Sequence, residues 1–123
     1  MITYLLESLL WTNQAFINSG VSVRFKPAFI GEAPFEETGL EGRHTLYRAA
    51  RDTAIQDLRD IVEADLVQII GYSYDGYCGW GFGFYDNDAW GYSFVRSTCL
   101  DNYVHTHEYG HNFGCMHNRE NSR

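Results

Sequence analysis

Three histidines and a glutamate set the chemistry this chain can do. The stretch His107-Glu108-Tyr109-Gly110-His111-Asn112-Phe113-Gly114-Cys115-Met116-His117 reads H-E-x-x-H-x-x-G-x-x-H. On a helix, residues four apart share a face, so His107 and His111 can aim two imidazoles at one point. Glu108 lies one residue on, about 100° round the helix and beside the pair. Gly114 can take a positive φ, which lets the helix stop and the chain turn back so that His117 reaches the same point. Three neutral imidazoles with one open position suit a catalytic zinc ion, and Glu108 is placed to take a proton from the water that zinc acidifies. The odds of so extended a pattern arising by accident in a chain of this length are roughly 1 in 10⁵.

Two neighbours are set aside. His105 is two residues before His107, about 200° away on a regular helix, so it points away from the metal. Cys115 is near, and a thiolate can ligate zinc, but three histidines already suffice.

The elements that must hold these residues are read from pattern. Ile2, Leu5, Leu6, Leu9, Phe16 and Ile17 recur at helical spacing before Gly20, predicting a helix over 2–18 whose apolar stripe faces the core. Val21, Val23 and Phe25 alternate with Ser22, Arg24 and Lys26, predicting a strand, with Pro27 at a sheet edge or bulge. Residues 31–44 read as an acidic, glycine-bearing surface loop, and His44 as a solvated residue. Leu46, Ala50, Ala54, Leu58 and Ile61 predict a second helix over about 45–62. Leu66–Ile70 is a short apolar run ahead of Gly71, the pattern of a buried parallel strand. Gly71–Gly79 is a Tyr- and Gly-rich loop. Trp80–Tyr85 alternates aromatic residues with glycine and reads as an exposed, thin strand. Asp86-Asn87-Asp88 reads as an acidic turn and not a calcium site, and Tyr92–Arg96 as another strand. Asp101 or Asn102 is expected to cap the motif helix, over about 102–113. Helix, strand, helix, strand in this order predicts an α/β layer.

The 123 residues suffice for one domain with a modest core, and 45% hydrophobic with 16% aromatic residues indicates a globular chain. Net charge is −7, with nine basic residues that do not cluster; this argues against nucleic acid and anionic membranes as partners. No apolar run reaches the length of a membrane span, and no signal peptide is expected at Met1. Cys78, Cys99 and Cys115 are an odd number, compatible with three reduced thiols or with one disulfide and a leftover.

The zinc motif resembles that of the metzincin clan of zinc endopeptidases. Ser93-Phe94-Val95-Arg96-Ser97-Thr98-Cys99, running into Tyr103, resembles the reprolysin-like (adamalysin-type) branch; Asn118 stands where that branch usually carries Asp. The resemblance implies an α/β fold (α+β in some schemes): the metzincin upper subdomain, a twisted mixed sheet with two packing helices and a zinc-binding active-site helix. It implies one domain over residues 1–123, a partial catalytic domain. The family's first strand is expected to be absent, since the chain opens within the first helix, and so is its lower half with a methionine turn, since six residues follow His117 and Met116 lies inside the motif. It implies a zinc-dependent endopeptidase with His107, His111 and His117 as ligands and Glu108 as general base, the alternative being a non-catalytic zinc-binding module or fragment. Peptide or protein substrate is expected to pair with an edge strand at about 80–85. If the strands near Cys78 and Cys99 are neighbours, as the resemblance implies, those two cysteines can bridge; 78–115 and 99–115 pairings stay open. A bridge would suit an extracellular protein.

Overall fold

The computed structural model describes residues 2–34, 41–83 and 88–117, with the backbone alone at 88, 101 and 102. Four helices, α1 (Ile2–Asn18), α2 (Gly42–Arg51), α3 (Thr53–Ile61) and α4 (Val104–Asn112), surround three strands, β1 (Val67–Gly71), β2 (Gly79–Gly81) and β3 (Tyr92–Arg96). Short 3-10 turns over Asp88–Trp90 and Ser97–Asn102 lead into β3 and α4. The sheet order is β1-β3-β2. β1 runs parallel to β3, with Ile69 opposite Phe94, and β2 runs antiparallel to it, with Trp80 opposite Phe94. Helices on a small mixed sheet make this an α/β, metzincin-like fold, as the motif and element order implied.

Strand alternation splits the sheet into two unlike faces. On one, Tyr92 and Phe94 meet Leu46, Ala49 and Ile55 of α2 and α3 in the apolar core, with Val67, Ile69 and Trp80 packed against it. On the other, Gln68, Ser93, Gly79 and Gly81 underlie α4. There Gln68 Nε2 donates to Ser93 Oγ at 3.0 Å and to the His105 carbonyl at 3.2 Å. The motif helix therefore lies on hydrogen-bonded polar groups and not on the main core.

Several expectations need correction. The helix expected over 45–62 breaks at Asp52, whose extended backbone ends α2 and whose side chain accepts from the Ile55 N–H to cap α3. A capping carboxylate competes with helix continuation. The break turns the second half, so Ile55 is buried and Ile61 is 78% exposed. Of the expected α1 stripe, Leu5, Leu9 and Phe16 are half-buried and Ile2, Leu6 and Ile17 exposed; none joins the apolar core, and the buried residues of α1 are Ser8 and Thr12. At the buried point of α1 the contact is polar: Thr12 Oγ1 donates to the Ser8 carbonyl and accepts from Thr106 Oγ1, 2.7 Å away on α4. Residues 21–27 join no ladder. Asn13 supplies what a neighbouring strand would: its Nδ2 donates to the Phe25 carbonyl and its Oδ1 accepts from the Phe25 N–H, both at 2.7 Å. Phe25 then stacks on Phe113 and touches Tyr109. Of the strand expected over 80–85, β2 covers the start, while 84 and 85 and most of the acidic turn lie outside the described residues. His44 is exposed, as expected.

Candidate metal centre

The side chains of Asp101 and Asn102, the caps expected for α4, lie outside the described residues. Asp101 and Asn102 belong to the 3-10 turn, and Tyr103, with φ 57°, makes the junction with no side-chain cap bond. A disulfide between Cys78 and Cys99, 5.6 Å apart at Cα, ties this approach to the residue before β2. That is the bridge considered from the sequence, and it excludes the all-reduced reading; Cys115 is free and exposed. At its other end α4 closes on Gly114, whose φ of +90° is the expected left-handed turn. The Gly114 N–H donates to the His111 carbonyl and the Cys115 N–H to the Gly110 carbonyl, both at 2.9 Å. Those two bonds satisfy helix-end carbonyls and send the chain back toward His117.

The turn brings the three histidines together. Ring centroids are 4.7 Å apart for His107 and His111, 4.8 Å for His111 and His117, and 5.4 Å for His107 and His117. One ring nitrogen or more from each lies within 4.8 Å of the others, a grouping that could hold a metal ion. His111 Nδ1 lies 2.7 Å from the Cys115 carbonyl. A carbonyl only accepts, so Nδ1 carries the proton and Nε2 presents a lone pair. That Nε2 is 3.1 Å from His117 Nε2. Burial, with the neighbouring His111 and His117, lowers the pKa of His107, which keeps it in the neutral, ligating form. The donor set, three imidazoles with one tautomer already selected, fits a zinc ion.

Glu108 is 4% exposed. It faces β2, and the two β2 glycines make room for it. A Cβ on Gly79 would come within 2.6 Å of Glu108 Oε1; one on Gly81 would lie 2.7 Å from the Glu108 carbonyl oxygen and 3.1 Å from His111 Cβ. Gly79, expected at the end of a loop, and Gly81, expected in a thin exposed strand, are thus the imprint of a helix pressed on a strand. Burial raises the Glu108 pKa from 4.5 to about 7, a value suited to proton transfer near neutrality.

His105 lies away from the cluster, 1% exposed, its pKa lowered by burial and its Nε2 without a partner among the described residues. Two supports were not foreseen. Asn112 is fully buried and donates to carbonyls of the β2–β3 junction. Asp75 accepts from the Gly42 N–H at the start of α2, from Trp80 Nε1, from Ser73 Oγ and from the Tyr77 N–H. Burial alone would raise its pKa, but these four donors hold it below the usual carboxylate value. Among the described residues, no helix is long and apolar enough to cross a membrane.

A family model described as metallo-peptidase family M12B, reprolysin-like, matches residues 11–118. No curated protein and no solved structure matches the chain.

Proposed function

Because the chain belongs to the reprolysin-like M12B metallopeptidases, we propose that it is a zinc-dependent endopeptidase with His107, His111 and His117 as ligands and Glu108 as general base. The observation that carries this is the gathering of three imidazoles within 4.8 Å, beside a carboxyl whose pKa sits at about 7. When bound, zinc supplies a Lewis acid that lowers the pKa of a water and polarises the scissile carbonyl. Glu108 takes the proton of the attacking water and returns it to the leaving amine nitrogen. Its burial under β2 keeps bulk water from competing for that proton. β2 lies at the edge of the sheet, and a peptide paired antiparallel along this edge, at about 80–85, would be read through its main chain with little sequence preference. The Cys78–Cys99 bridge supports an oxidising, extracellular setting.

Casein or gelatin hydrolysis tests the reading. Zinc-loaded protein should cleave, a chelator should stop it, and Glu108→Gln should keep zinc yet fail to hydrolyse. An active Glu108→Gln protein rules out the base; zinc binding with no hydrolysis by the wild type leaves a metal-binding module.

A further inference from the structure

We propose that Asn112 is a positioning residue for the metal centre: its buried side-chain amide locks the last turn of α4 to the β2–β3 junction, so that His111 and the sheet edge move as one body. The proposal rests on the three-histidine reading of the site.

The residue is 0% exposed. Its Nδ2 donates to the Phe82 carbonyl at 2.9 Å and the Tyr92 carbonyl at 3.0 Å, with the Trp90 carbonyl at 3.5 Å. Three carbonyls can only accept, so the amide nitrogen must face them, and its two hydrogens are used by the two short bonds. These carbonyls come from the residue after β2, the 3-10 turn and the first residue of β3. The last β2–β3 pair is Gly81 with Ser93, and Phe82 N–H still reaches the Tyr92 carbonyl at 3.3 Å. Asn112 thus continues the ladder from outside, where the two strands part. On α4, Glu108 and Asn112 are four apart and form the sheet-facing row; His107 and His111 form the neighbouring row, one residue back. Any rotation that frees Asn112 from its carbonyls also turns both ligands. His111 follows most directly, since it is adjacent in sequence and its Cβ already borders Gly81.

The test measures cobalt binding in place of zinc, by titration and by the visible absorption of the bound ion. Asn112→Ala removes the donor; Asn112→Ser, close to alanine in size, adds back one hydroxyl donor on a shorter arm. Leu46→Ala, in the apolar core on the opposite sheet face, is the control for general loss of stability. Asn112→Ala should weaken cobalt binding by about tenfold or more and alter its absorption band, as loss of a group supporting a ligand does. Asn112→Ser should recover part of both, and Leu46→Ala should leave affinity and band unchanged. Wild-type affinity and band in Asn112→Ala, or an equal loss in Leu46→Ala, would overturn the positioning role. A wild type that binds no cobalt would instead sink the three-histidine reading. Should both Asn112 variants fail to fold, proton exchange in the wild type decides. The Asn112 side-chain amide should exchange far more slowly than those of exposed Gln14 and Asn18 and should shift when cobalt is added; fast exchange or no shift would overturn the proposal.

Discussion

Replacing Glu108 by Gln in metal-free protein should stabilise the fold, and the gain should depend on pH. The folded carboxyl titrates at about 7 against an ordinary 4.5. Below 4.5 both folded and unfolded chains carry the proton, so the buried group is neutral and no charge is desolvated. As pH rises from 4.5 to 7 the unfolded chain ionises first, and folded stability falls through that window. Above 7 the full penalty is present. The two values differ by about 2.5 units, and at 1.36 kcal/mol per unit the ceiling is about 3 kcal/mol. Relaxation of the protein around the buried charge trims this to roughly 2 kcal/mol. Glutamine copies the protonated shape and never ionises. Urea unfolding of both proteins in chelator, from pH 4 to pH 8, should show curves that coincide at the acid end and separate by that amount at the basic end. Zinc should narrow the gap, because a cation beside the carboxylate favours its charged form. A gap that stays constant with pH, or that opens toward acid, would refute the burial argument.

Three further outcomes follow from the same geometry. Gly81→Ala should destabilise by about 1–3 kcal/mol in thermal melts, because its methyl would meet the backbone carbonyl of Glu108 at 2.7 Å, an atom that cannot swing aside. Gly114→Val should weaken zinc binding measured by competition with a chromogenic chelator, since a φ of +90° is hostile to a β-branched residue and the turn carries His117. Replacing Cys78 and Cys99 together by Ser should lower unfolding free energy by about 3 kcal/mol for a loop of 21 residues, and non-reducing peptide mapping should find the wild-type bridge.

Local patterns were legible in the sequence where one residue's fate depended on near neighbours. The bounds of α1, the span of β3, the positive φ of Gly114 and the convergence of His107, His111 and His117 are of that kind. What escaped depended on partners distant in the chain. Val21–Lys26 alternates like a strand, yet the described sheet has no place for it, and the Asn13 side chain answers the Phe25 backbone instead. Asp52 is the one local exception: the helical period of Leu46–Ile61 hides that Asp52 caps Ile55, three residues on. Asn112 fills a variable place in the metal motif, and nothing in that place reveals three carbonyls waiting across the sheet edge. The alternation Gly79-Trp80-Gly81 did hold a signal, two glycines on one strand face, and a close helix approach explains it better than an exposed strand.

X-ray absorption at the zinc edge of the loaded wild-type protein tests the central claim most directly. Three imidazole nitrogens and one oxygen should surround the metal at about 2.0–2.1 Å, with no sulfur. A scatterer at about 2.3 Å, the distance of a Cys115 thiolate, or fewer than three imidazoles would contradict the site built from His107, His111 and His117.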